Sequence, residues 1–231
     1  MQPLRSLARD IRSGDSYALV LTLILASLVA GIVAPERTWA RIVGDCLFAA
    51  TVVIAYWTAI ARRAFLVPRV ILPSAALALV VVGAAEGATT EVTSSVIGAA
   101  LAVATAVLIT RDLLDRRRVD VQTVLGALVL YVLLGFLFAF SFELVGEIGG
   151  GPFFSNGDDG TTSDYLYFSL VALSTTGFGD LSPAERAGRA LAVLEIVVGQ
   201  LYLVTVVAVI VTAAMGRQLL DGARRRGSGS D

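Results

Sequence analysis

Lysine and histidine are absent from this chain of 231 residues; all eighteen basic side chains are arginine. Without histidine, the commonest metal ligand and the side chain best placed to move protons near neutral pH are both missing. Cysteine occurs once, as Cys46, so neither an intrachain disulfide nor a thiolate metal cluster is available. Charge is scarce too: 16 % of the residues are Asp, Glu or Arg, against about 25 % in soluble domains. No nucleophile and base converge anywhere in the sequence. These gaps point away from an enzyme, and neither a cofactor nor a nucleic-acid partner is expected.

What is abundant is apolar. Residues of that kind make up 56 % of the chain, more than a soluble protein of this size can keep from water. They come in long runs and not in alternation, which excludes a disordered chain and argues against an outer-membrane barrel. About 20 apolar residues are needed to cross about 30 Å of hydrocarbon. Six runs qualify, at residues 17–34, 42–60, 70–85, 92–110, 121–142 and 190–215; the third is short and holds Pro73. Arginine sorts across them. Fourteen arginines fall on the side of both termini and four on the other, so the positive-inside rule makes both termini cytoplasmic. The exclusive use of arginine beside abundant Ala and Val suggests a GC-rich bacterial genome, and the location expected is the cell (inner) membrane.

The fold class expected is therefore an all-α membrane protein with six transmembrane helices. Residues 1–16 form a cytoplasmic N-terminal segment and 17–110 a peripheral four-helix domain. Residues 111–120 form a cytoplasmic linker, 121–216 a two-span unit, and 217–231 a short cytoplasmic tail. The fourth run contains no arginine, and Arg116, Arg117 and Arg118 are contiguous, so they point around a helix and not along one face. They are read as interfacial anchors. Asp45 in the second run lies one turn after Arg41, which suggests an i, i+4 pair. Glu143, Glu147, Asp158, Asp159, Asp164 and Asp180 gather between the last two runs, on the outer side.

Between those two runs lies a segment of another kind. Ser163 is a candidate N-cap, and the eleven residues after it make a helix of about 16 Å, half a membrane thickness. It leads directly into Thr175-Thr176-Gly177-Phe178-Gly179-Asp180. Glycine at alternate positions permits positive φ, so successive carbonyls can turn toward one axis. Unpaired carbonyls are tolerable at membrane depth only when buried in protein or lining a polar path. Four such strands around an axis would replace the hydration shell of a cation. The half-helix would aim its negative end at the same axis, with Asp180 at the outer mouth.

The stretch from Tyr167 and Phe168 to Asp180 closely resembles the pore loop of potassium channels, whose usual filter reads T-V-G-Y-G-D. The resemblance covers residues 121–215. It implies a re-entrant pore helix and selectivity filter between the fifth and sixth spans, and a homotetramer in the lipid bilayer around one pore. The bound ions would be potassium, held by Thr175, Thr176, Gly177, Phe178 and Gly179, with the Thr175 hydroxyl innermost; no metal other than a monovalent cation is implied. Gly199, twenty residues beyond Gly179, matches an inner-helix hinge glycine. Tyr167, Phe168, Val171 and Glu195 would support the filter. From Gln200, helical spacing places Val204, Val207 and Val211 along the cavity or gate.

Two residues depart from the pattern. Thr176 replaces Val, and its hydroxyl either packs behind the filter or competes with the carbonyls. Phe178 replaces Tyr and lacks the hydroxyl that ties the usual filter to surrounding aromatics. Glu195 lies within reach of Ser169 or Ser174, as a buried structural hydrogen bond or as a proton site for gating. A weakly selective cation channel is the alternative function. A potassium transporter subunit is the rival from another class, although such a chain carries four filter-like segments and this one carries one. The sequence does not indicate a regulatory ligand.

Overall fold

The computed structural model describes residues 17–33, 38–60, 75–78, 88–116 and 120–227. Among the described residues six helices carry the architecture: α1 (Tyr17–Val33), α2 (Thr38–Ile60), α3 (Ala88–Asp115), α4 (Val121–Ile148), α5 (Thr162–Leu173) and α6 (Arg186–Gly227). Three segments are long and apolar enough to cross a bilayer, namely Val92–Asp115 of α3, α4, and Arg186–Val209 of α6. The helix α1 and residues Ile42–Thr58 of α2 are shorter apolar helices. At 1.5 Å per residue, the 17 residues of α1 rise about 26 Å, slightly less than the hydrocarbon thickness. The expected third span lies outside the described residues apart from a helical turn at 75–78. At the other end, α6 continues as helix to Gly227, past the candidate span, which ends at Val209.

The central element is α4, which packs against α1, α3, α5 and α6. Between helices in lipid there is little hydrophobic driving force, so close packing and interhelical hydrogen bonds hold the elements. One core joins Val20 and Ile24 of α1, Phe48 and Val52 of α2, Leu101 and Ile109 of α3, Val129, Leu133 and Phe136 of α4, and Leu166 of α5. A second core is almost wholly aromatic: Phe138, Phe142, Phe153, Phe154, Tyr165 and Phe168 meet where α4, the following loop and α5 converge. Phe142 and Phe168 are edge-on at 5.0 Å, a favoured aromatic geometry. This cluster anchors the N-terminal half of α5.

A charged cluster joins α1 to the α3–α4 junction. Tyr17 Oη donates to Asp112 Oδ2 at 2.8 Å, and Arg116 donates to the same oxygen from Nε at 3.0 Å and Nη2 at 2.9 Å. The guanidinium also lies 5.2 Å over the Tyr17 ring. The side chains of Arg116 and Asp112 are only 7 % and 6 % exposed. Arg116 is therefore a buried clamp between α1 and the α3–α4 junction, which corrects its reading as an interfacial anchor; a helix-end arginine with an acid four residues earlier satisfies itself within the protein. Arg117 and Arg118 lie outside the described residues, as does the side chain of Arg41 with its expected pairing to Asp45. Asp120 then starts α4 through a capping box with Thr123.

Candidate functional site

The N-cap of α5 lies two residues before the expected one, Ser163. Thr161 caps it, accepting from Asp164 N, while Asp164 Oδ2 accepts from Thr161 N at 2.8 Å. Asp164 at the third helical position completes a reciprocal capping box that Ser163 cannot form. Ser163 instead donates to Ile32 O of α1 at 3.1 Å. Two of the acids expected to charge the outer loop are likewise structural. Asp164 is held in the cap, and Glu143 is buried within α4, where Thr162 Oγ1 donates to Oε1 and Ser95 Oγ donates to Oε2, each at 2.8 Å.

At the other end of α5 the chain leaves the helix at Ser174, and Ser174 to Asp180 are all exposed. Positive φ occurs at every second residue: Thr175 at 56°, Gly177 at 58° and Gly179 at 80°. The glycines were expected in this conformation; Thr175 was not. A β-branched residue there is strained, so its surroundings must hold it. Its hydroxyl donates to Ser174 O at 2.7 Å and accepts from Gln200 Nε2 at 3.2 Å.

Val171 O accepts from Thr176 N at 3.0 Å and from Gly177 N at 3.4 Å. Val171 thus supports the strand through its carbonyl, not its side chain. The carbonyls of Thr175 to Gly179 accept no hydrogen bond among the described residues. The geometry is a row of unsatisfied oxygens presented by one short strand, as a ligand for a dehydrated cation requires.

Thr176 Oγ1 lies 2.8 Å from Ser174 Oγ. Phe178 is 68 % exposed and makes no ring contact among the described residues. Above it, Tyr167 Oη donates to Asp180 Oδ2 at 2.8 Å. That bond, with the backbone N–H groups of Asp180 and Leu181, holds the Asp180 carboxyl below the usual carboxylate range. Phe168 lies in the aromatic core. The outer loop is tied down from the far side: Ser155 N donates to Ser182 O and Ala184 N to Phe153 O, each at 2.8 Å.

The inner helix meets α5 closely. A Cβ on Gly199 would stand 2.8 Å from both Leu173 O and Leu173 Cδ1, so glycine permits the contact. The helix is continuous there, and the structure gives Gly199 a packing role. One turn earlier, Glu195 is fully buried and its Oε1 lies 2.5 Å from Ser169 Oγ; Ser169, not Ser174, is its partner. Val204, Val207 and Val211 are exposed, but so are Leu201 and Val209 on another side of α6. Exposure therefore covers more than one stripe of this helix.

Sequence reasoning missed two tyrosines that hold this junction. Tyr131 Oη donates to Leu173 O at 3.2 Å, Tyr202 Oη donates to Ala127 O at 2.5 Å, and their rings stack at 5.9 Å. The available signal was a phenol in each of two otherwise apolar helices, since a buried hydroxyl demands a partner. Gly135 was missed as well; its carbonyl accepts from Ser169 Oγ at 2.7 Å.

No curated protein and no solved structure matches the chain. Residues 126–215, which run from α4 through the strand and its supports into α6, match the model of a family described as ion channel.

Proposed function

We propose that the protein is a potassium-selective ion channel in which four copies surround one pore and pass potassium passively. The observation that carries this reading is the alternation of positive φ at Thr175, Gly177 and Gly179, with carbonyls that no donor satisfies. One strand supplies only one side of a coordination shell, so the site is incomplete in a single chain. Four strands around an axis would complete it, and the exposed apolar face of α6 would be covered by copies and lipid. Thr175 to Gly179 are then the ion ligands and Asp180 the outer mouth. Gln200 lies against the inner end of the filter, with Val204, Val207 and Val211 lining the cavity or gate below it. Residues 121–216 form the pore domain and 17–110 the peripheral domain, in a cell membrane with both termini cytoplasmic.

Voltage gating by an arginine ladder finds no support, because Arg111 is the only arginine in α3. A weakly selective cation channel is the second reading, favoured by the exposed Phe178 ring, which has no tie to the pore-helix aromatics. Reconstitution in planar bilayers under opposed potassium and sodium gradients separates the two. The expected reversal potential follows potassium. Equal permeability would establish the second reading, and absence of unitary currents from an intact assembly would sink both.

A further inference from the structure

Behind the strand lies an arrangement with too few hydrogens. Ser169 Oγ is 2.7 Å from Gly135 O and 2.5 Å from Glu195 Oε1, so three oxygens from α4, α5 and α6 meet at one point. A hydroxyl has a single hydrogen, a carbonyl has none, and an ionised carboxylate has none. With Glu195 ionised, one of the two contacts would set lone pair against lone pair in a fully buried site. A protonated Glu195 removes the conflict: the carboxyl donates to Ser169, and Ser169 donates to Gly135 O.

The surroundings agree. Glu195 is 0 % exposed, and its Oε2 has no hydrogen-bond partner. No cation pairs with it among the described residues. From α4 the ionisable group in reach is Tyr131, whose hydroxyl is committed to Leu173 O. The ionisable groups of α5 are engaged elsewhere: Asp164 with Thr161, Tyr165 with Asp159 O, and Tyr167 with Asp180. On α6 itself, Arg189 Nε donates to Pro183 O and Tyr202 to Ala127 O. An unpaired buried carboxylate here would lack every usual compensation.

We propose that Glu195 is a neutral carboxylic acid whose proton completes a relay from α6 through Ser169 to α4, making it a positioning residue for the pore helix and the strand that hangs from Val171 O. Loss of the proton at high pH then sets Glu195 against Ser169, frees α5 from α4 and disturbs the strand. The positioning part rests on the channel reading above; the protonation part does not.

Two measurements on the full-length assembly in lipid test it. The first is infrared spectroscopy, titrated from about pH 6 to about pH 10, comparing the natural chain with Glu195→Gln. A protonated-carboxyl band near neutral pH that is missing from Glu195→Gln supports the proposal, and its absence from the natural chain overturns it. This readout decides the proton whether or not the chain conducts. The second is potassium flux over the same range. The natural chain loses flux by about tenfold as the carboxyl ionises, whereas Glu195→Gln, whose amide always has a hydrogen for Ser169, retains flux with a flat profile. Identical pH profiles for the two chains would overturn the positioning role. Should Glu195→Gln fail to assemble, Ser169→Ala serves in its place. It removes the relay's middle atom, and a pH dependence as steep as that of the natural chain would refute the relay.

Discussion

Replacing Gly177 with alanine isolates the backbone contribution to the site. A Cβ built there meets nothing within 4 Å in the chain, so the substitution adds no clash; its effect comes from φ, which is +58°. An L-residue held in that region costs about 1–2 kcal/mol relative to glycine. With four copies sharing one pore the cost sums to about 4–8 kcal/mol against the conducting arrangement. At tenfold per 1.4 kcal/mol, that lowers its population by about three to six orders of magnitude. Tandem-linked tetramers carrying one, two or four altered copies, assayed by potassium flux, would show a graded loss of about 5- to 30-fold per copy. Gly150→Ala is the control: it also meets no atom within 4 Å, and its φ is not positive, so flux should be unchanged. Four altered copies conducting like the natural assembly, with the tetramer intact, would refute the carbonyl-strand argument.

Three further outcomes follow from the same contacts. Tyr167→Phe removes the donor that keeps the Asp180 carboxyl below the usual range. Asp180 then loses its charge at a higher pH, so proton inhibition of outward-mouth cation entry, read as conductance against external pH, should begin at higher pH than in the natural chain. Gly199→Ala forces a Cβ to 2.8 Å from the Leu173 carbonyl, a clash with backbone that costs about 1–3 kcal/mol and should lower the melting temperature of the assembly in detergent. Asp112→Ala leaves the Arg116 guanidinium buried with only Asp120 at 3.7 Å, at a cost of about 3 kcal/mol by thermal unfolding, and replacing both residues with leucine should recover most of it.

The legible parts of this protein were those that repeat a local rule. Apolar runs marked the helices now described as α1 to α4 and α6, and alternate glycines marked the strand. What the sequence concealed depends on partners distant along the chain. The positive φ of Thr175 has no local signature, because it is held by Gln200, twenty-five residues on. Glu143 read as one more acid beside an acidic loop, since its two donors, Ser95 and Thr162, come from different helices. Arg116 read as membrane-surface charge because the side chain that covers it, Tyr17, lies at the other end of the peripheral domain. The start of α5 was misplaced for a more local reason. Both Thr161 and Ser163 are good caps, and only the reciprocal bond from Asp164 decides between them.

Those long-range contacts also indicate where the peripheral helices can act. At its outer end α5 is held to α1 through Ser163 and Ile32 O, and through Thr162 and Glu143 to Ser95 on α3. At its inner end it is held to α4 by Tyr131 and Ser169, and to α6 by Glu195 and the close approach at Gly199. The peripheral helices therefore contact the same chain's α5 at the end remote from the strand, and a tilt of α1 or α3 would reach the strand by pivoting α5 about its inner anchors. Rigid helices transmit such a tilt over about 18 Å, the length of the 12 residues of α5, whereas a sliding motion of α6 would first have to break the packing at Gly199. Coupling by this route predicts that Ser163→Ala and Ser95→Ala, which touch no strand residue, alter open probability while leaving ion selectivity unchanged. A change in the potassium–sodium permeability ratio without a change in open probability would place the coupling elsewhere.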